Sequence, residues 1–527
     1  MKCLSKTFAL SVLLVLMVSG CTTVGPDYVA PTAPVETEWL KQDGSFDYRT
    51  TAVEPEWWKG AFKDPILDRL VETSLEQNLS LRSAGLRVLQ SQQSLAIAIG
   101  EQYPQQQQFT GSAAGQRLSD NANNFIPLLD DRFMLYDLGF NLTWEADVWG
   151  RFKRLIESAS AELDASVFAY DGVLVSLVAQ IAQTYILIRT GQARIEIAEK
   201  NIDLQAQSVE ITRAKFEAGQ VSSLDMEQAK TLLNNSKATL AALEISMQQF
   251  KNALAILMGR PPHDMSALLG TVQPIPSVTP EIALGMPQDL IRRRPDIRSA
   301  ERLLAAQSAQ IGFAVSELYP HFRLGGSIFT SSTSLGSKSV LNLFEASSIG
   351  FNLFGAFQWN VFQYGRLKSN IRLQDALFQQ LLADYRNTVL QAQGEVENAI
   401  VAFLKSNEQF IFYGLAARAS ERAAKVSTIQ YKEGAVDFNT VITTLKAQAT
   451  QGDLLALAQG SVATNLVAVY KSLGGGWEVR QSKDPLDFIP EETKEEMLKR
   501  TDYWEKSFKK ESKAKKDPSN PVNPVKE

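Results

Sequence analysis

The chain has 527 residues, 45% hydrophobic and 21% charged, with a formal net charge of −5. That length suits several domains or one large elongated assembly, and no basic block interleaved with aromatics points to nucleic acid. The only cysteines are Cys3 and Cys21 and the only histidines His263 and His321. HExxH, GxSxG and Walker A patterns are absent and no nucleophile–base pair is marked, so the expectation is no metal, no cofactor, no catalytic residue and no enzyme.

The first twenty residues read as a signal peptide. Lys2 and Lys6 precede an apolar run from Phe8 to Val18. A spanning helix needs roughly 20 apolar residues, so the run fits an export signal instead. It ends Val18-Ser19-Gly20-Cys21, which resembles a bacterial lipobox with Cys21 as the lipidated residue. Thr22 after the cysteine, by analogy with lipoprotein sorting, favours the outer membrane. With Cys3 removed and Cys21 acylated, stability must come from packing rather than from a disulfide.

Residues 21–63 form an extended N-terminal segment, and two copies of one pattern follow. Leu81-Arg82-Ser83-Ala84 recurs as Ile297-Arg298-Ser299-Ala300, and Tyr103-Pro104 as Tyr319-Pro320. After the loss of one residue from the register, Trp144 matches Trp359 and Gly150-Arg151 matches Gly365-Arg366. Phe216-Glu217-Ala218-Gly219 matches Tyr431-Lys432-Glu433-Gly434, and Met258-Gly259 matches Leu473-Gly474. The halves are assigned to 64–260 and 282–476, joined by a proline-rich linker at 261–281.

Each half reads helix, two strands, long helix, turn, helix. The clearest strand is YDLGFNLTWEADV, in which apolar residues from Tyr136 to Val148 alternate with polar ones. Its counterpart alternates at Phe351, Leu353, Phe357, Trp359 and Val361. Such length with an aromatic face suits a membrane β-barrel, apolar to lipid and polar to lumen. Ile156, Ala159, Leu163, Val167, Tyr170, Leu174, Leu177, Ile181, Tyr185 and Ile188 then recur at helical spacing, as do residues from Ile371 to Phe403. A helix from Arg151 to Glu217 would be on the order of 100 Å long, a rod or barrel stave, with Gly172 and Gly191 as weak points that leave two stacked helices open. Four strands cannot close a barrel, and open edges are not tolerated in lipid, so several chains must each supply a share. Two chains would give eight strands and three would give twelve.

These features together resemble the outer membrane factor family, the TolC-like exit ducts, and within it the lipoprotein branch of multidrug and metal efflux channels. The resemblance rests on Cys21 to Pro31, on Trp57-Trp58 with Asp64-Pro65, and on Gly285-Met286-Pro287 through Arg294-Pro295-Asp296-Ile297-Arg298. It implies an α+β membrane protein: a homotrimer whose twelve-stranded β-barrel, four strands per chain, continues into a long periplasmic α-helical barrel. It implies a passive outer membrane exit duct, working with a periplasmic adaptor and an inner-membrane pump of the RND type and held in outer membrane lipid.

The resemblance places a periplasmic gate at the helix tips, with Phe216, Gly219 and Asp225 on one and Tyr431, Gly434 and Asp437 on the other. Glycine suits the left-handed end of a helix, and Ser222 or Ser223, and Asp437 or Asn439, suit the next N-cap. The charges of some relatives' closed-state lock are replaced by Val436, Thr440 and Thr443, so a different ring, with Asp437 as its acidic member, is expected. Trp144, Gly150 and Arg151, and Trp359, Gly365 and Arg366, mark the barrel–helix joints. Residues 477–527 read as a charged tail, its first part a short amphipathic helix and its end disordered. The alternative is a lipid-anchored helical scaffold or adaptor without a pore. Substrate is not legible.

Overall fold

The structure, a computed structural model, describes residues 23–36, 39, 48–49, 54–117, 119, 132–278, 282–283, 289, 293–336, 338–480, 483–505 and 508. The signal peptide, Cys21, most of 285–292 and the end of the tail lie outside the described residues.

α1 (Trp57–Phe62) ends the N-terminal segment, and the first repeat opens with α2 (Pro65–Gln77) and α3 (Leu79–Gly100). Asp64 starts α2 by accepting from the Ile66 amide at 2.9 Å, with Pro65 at the first helical position, where a missing N–H costs nothing. Strands β1 (Gln106–Arg117) and β2 (Arg132–Ala146) follow, then α4 (Arg151–Glu217) and α5 (Ser223–Leu257). The second repeat gives the same order: α6 (Pro295–Ser316), β3 (His321–Thr333), β4 (Ile349–Gln358), α7 (Arg366–Lys432) and α8 (Phe438–Ser472). The chain is thus α+β with an internal duplication.

α4 runs without a break through Gly172 and Gly191, against the alternative of two stacked helices. At Gly191 a Cβ would stand 2.8 Å from Met247 Cε, so the missing side chain makes room for a neighbour rather than a bend. The helical stripe is buried over part of its length, while Ile156, Leu163, Val167, Ile371, Phe378 and Leu382 are half-buried. Tyr170, Leu174, Leu177, Ile181, Tyr185 and Ile188 are buried on α4, and Val389, Ala392, Val396, Ile400 and Phe403 on α7.

These four strands form one antiparallel meander in the order β1-β2-β3-β4, and a separate two-residue parallel pairing joins Tyr48–Arg49 to Ile282–Ala283. The expected alternation overran two strand ends. β2 stops at Ala146 rather than Val148, and β4 stops at Gln358, leaving Trp359 and Val361 outside the sheet. The register explains the second case. Gln358 pairs with His321, the first residue of β3, and Pro320 before it has no N–H to extend the ladder.

The fold divides into two compact units, and neither is a repeat. One takes the N-terminal stretch up to Thr32 with Gln90–Ser166 and Ser299–Arg386; it holds the sheet. The other takes Ala33–Leu89, Val167–Arg298 and the chain from Asn387 on. In the second unit Trp57 and Trp58 are fully buried, and Trp57 stacks on Tyr470 with ring centres 4.8 Å apart. The proline-rich linker is packed there too: Met265, Leu269 and Ile275 are buried, and Arg189 donates to Leu269 O at 2.8 Å. The tail is also docked as far as α9 (Glu491–Arg500). Arg480 forms two bonds to the buried Asp171 at 2.8 and 3.0 Å, and Leu486, Ile489 and Met497 of the segment through α9 are buried.

Candidate functional site

The two faces of the sheet differ in chemistry across all four strands. Phe140 on β2 faces Phe109 on one side and Ile328 on the other, and Ile328 faces Phe351; Leu142 and Leu353 flank Gly326 on the same face. The opposite face carries Ser112–Asp137–Ser331 and Gln108–Asn141–Ser327–Asn352. Period-2 side-chain direction gives each strand two faces, and the register keeps like with like across the ladder. Glu145 ends the polar face near the helices, bonded to His321 Nδ1 (2.9 Å) and Arg323 (3.3 Å).

At the first strand–helix joint Gly150 has φ 73° and Arg151 opens α4. Arg151 reaches Glu145 (3.2 Å) and Glu317 (3.0 Å), and the Asp147 carboxylate accepts the Phe152 and Lys153 amides at 3.2 and 3.0 Å. At the second joint Gly365 has φ 84° and Arg366 opens α7, its guanidinium bonding Gln363. Each tryptophan folds back on the end of the preceding helix. Trp144 Nε1 donates to Gln102 O (3.2 Å) and Trp359 Nε1 to Leu318 O (2.9 Å), equivalent positions of the two repeats.

The N-terminal segment covers the first joint, which sequence reasoning did not locate. Val24 N–H donates to Trp149 O at 3.1 Å, and a Cβ on Gly150 would stand 2.8 Å from Thr23. Gly25 and Gly312 pass too closely for a Cβ on Gly25. Beside them Arg154, 2% exposed, donates to Val24 O (3.1 Å), Gly25 O (3.3 Å) and Asp27 (2.9 Å). The legible signal was the pair of glycines, since glycine marks close backbone approach.

The two helix tips share one turn. Gly219 has φ 70° and Gly434 φ 77°, with no heavy atom of the described residues within 4 Å of a Cβ at either, so it is the backbone conformation that calls for glycine. Gln220 N donates to Lys215 O and Ala435 N to Gln430 O, both at 2.8 Å; these are the six-to-one bonds of a Schellman motif. The next helices start at Ser222 and Asp437. Asp225 accepts the Ser222 amide (3.3 Å), while Asp437 accepts the Thr440 amide (2.9 Å) and hydroxyl (2.6 Å). Those bonds hold the Asp437 carboxyl below its usual pKa.

Tyr431 lies inside a shared core of the two hairpins, with Val209, Met226, Leu232, Val441 and Leu445. Its ring is 5.2 Å from that of Phe438 and 5.3 Å from Lys215 Nζ. Burial pushes its hydroxyl pKa up. Phe216 is exposed. The structure therefore brings the two tips together and buries Tyr431 between them, while Asp437 is exposed and caps its own helix.

A cleft of about 540 Å³ in the second unit is lined by Arg294, Asp296 and Glu395 among others. Arg294 is committed to Asp296 (2.7 Å), Glu395 (2.8 Å) and Ser472 O (2.8 Å), an arrangement that ties helix ends together.

A family model described as outer membrane efflux protein matches the chain over residues 70–260 and 286–475. The chain is 30% identical over 482 residues to the solvent efflux pump outer membrane protein SrpC of Pseudomonas putida, covering 90% of this chain and 100% of that one. It is 25% identical to the probable outer membrane lipoprotein SilC of Salmonella typhimurium, covering 90% and 99%. Among solved structures it resembles the outer-membrane channel OprN, with a TM-score of 0.79 and 30% identity over 86% of this chain and 99% of that one.

Proposed function

Because this chain belongs to the outer membrane efflux protein family, we propose that three copies of it form the outer membrane exit duct of a tripartite efflux system. The observation that carries this reading is the sheet. Four contiguous strands present one apolar and one polar face, and β1 and β4 each have a free edge among the described residues. Lipid tolerates no open edge, so β4 of one copy must meet β1 of the next; three copies supply twelve strands. The apolar face meets lipid and the polar face lines a passive pore. A scaffold without a pore has no use for a sheet amphipathic over all four strands.

The long paired helices continue the duct into the periplasm. There the tips of six hairpins meet a periplasmic adaptor, which links them to an inner-membrane pump of the RND type. Cys21 carries the lipid, two residues before Thr23 at the first joint. The tips close the pore. Tyr431, in the core shared by the two hairpins, holds the closed packing, and Asp437 adds an acidic ring facing outward. Protein reconstituted in planar lipid bilayers tests this. Wild type should conduct weakly, and Tyr431→Ala/Asp437→Asn, in which asparagine keeps the helix cap, should conduct several-fold more. No conductance from either form overturns the duct, and equal conductance overturns the gate assignment.

A further inference from the structure

The polar face of the sheet carries large apolar residues at Phe133 and Leu135, at the loop end of β2, and at Phe329 on β3 and Phe354 on β4; the last two stand opposite glycines. Phe329 is paired with Gly139 on one side and Gly350 on the other, and Phe354 with Gly325. The Phe329 ring lies across Gly350 and the Phe354 ring across Gly325, while Gly139 makes room for the Phe329 Cβ. A Cβ on Gly350 would stand 2.7 Å from Phe329 Cζ, one on Gly325 2.5 Å from Phe354 Cζ, and one on Gly139 2.9 Å from Phe329 Cβ. The glycines thus open a bed in the wall, and the rings fill it lying flat. They remain 38% and 44% exposed. Leaving a phenylalanine on a hydrated face forgoes on the order of 1 kcal/mol or more of burial, so a wall that only had to pass water and ions would favour polar residues there. Asp137 stands one same-face step from Phe329, on the neighbouring rung with Ser331, and bonds Ser112 rather than a cation. The charges at the Phe354 level differ, because Arg323 is neutralised by Glu145.

We propose that Phe329 and Phe354 form an aromatic contact zone on the pore wall for lipophilic aromatic cations, with Asp137 supplying the complementary charge. A flat ring offers its negative π face to such a cargo by cation–π attraction and to its rings by stacking. Three copies place six rings on two levels, about 13 Å apart along a strand, since Phe329 and Gly325 are four residues apart at roughly 3.3 Å each. This rests on the reading that the polar face lines the pore.

The test is block of potassium current in planar bilayers by tetraphenylphosphonium added on the side of the strand loops, with tetraethylammonium as the non-aromatic comparator. Phe329→Leu/Phe354→Leu keeps an apolar cover over the glycines and removes the rings. Its half-blocking concentration for tetraphenylphosphonium should rise about ten-fold, with tetraethylammonium unchanged; two weak cation–π contacts account for that size. Phe329→Tyr/Phe354→Tyr should keep the block. Unchanged block in the leucine variant overturns the proposal and leaves the rings as covers for Gly325 and Gly350. A protein that conducts no potassium in any form overturns the duct reading instead.

Discussion

The two strand–helix joints began as copies and no longer have the same surroundings. Both turn on a left-handed glycine followed by arginine. The first is finished by its own chain: Asp147 caps α4, Arg151 holds Glu145 and Glu317, and Thr23 seals Gly150. At the second joint Phe362 stands where Asp147 stands, 86% exposed, and Tyr364 is fully exposed with φ 47°. Among the described residues, nothing lies within 4 Å of a Cβ on Gly365. Duplication preserved the backbone path, while the surroundings diverged, one joint toward self-contained polar closure and the other toward an apolar surface. An exposed apolar cluster on an otherwise folded chain marks an interaction site. We propose that a neighbouring copy covers it in the trimer.

The largest effect should come from Phe362→Asp, which gives the second joint the cap residue of the first. Detergent-extracted protein should lose its heat-resistant trimer on gels while the single chain keeps its helix content by circular dichroism. A trimer that survives would return the difference between the joints to drift. Next comes glycine to alanine at each joint. Gly365→Ala should cost about 1–2 kcal/mol, the strain of a side chain in the left-handed region. Gly150→Ala should cost about 3 kcal/mol, because collision with Thr23 adds an overpacking term. Thermal unfolding in detergent measures both, and equal losses would erase the distinction.

Arg154→Ala should cost about 2 kcal/mol, since charge-assisted bonds to the Val24 and Gly25 carbonyls are lost. Hydrogen exchange should speed up at the Val24 amide and leave residues 360–366 unaffected; the reverse pattern would mean that Arg154 does not hold the segment. The smallest effect probes what the joints still share. Trp144→Phe and Trp359→Phe each lose one indole bond and should each cost about 1 kcal/mol, equal within a few tenths. A large inequality in melting temperature would show that the shared geometry is not shared energetically.

Much of this was legible because it depends on local order. The helical stripe of α4 and α7, the alternation of β2, the repeat and the tip glycines follow from spacing of 3.6 or 2 residues, and from one backbone angle that glycine accepts without strain. The strand ends were misjudged at Trp359 and Val361 because a strand ends where its partner ends, and Pro320 is distant in sequence. The docking of the start of the tail was not legible because its anchors, Asp171 and Tyr170, look like ordinary members of α4 until Arg480 and Phe488 reach them.

What the sequence by itself determined is the duplicated α+β plan, the amphipathic strands and the place of the two tips, since these are set by periodicity and backbone preference. What only the tertiary structure decided is which surfaces meet. Arg154 binds the N-terminal segment, Phe329 and Phe354 lie over glycines on neighbouring strands, and one joint is covered while its twin is bare. Those pairings join residues far apart along the chain, and no spacing rule carries that information. The packing of the whole chain selects them, because each close approach is possible only where side chains elsewhere leave the room.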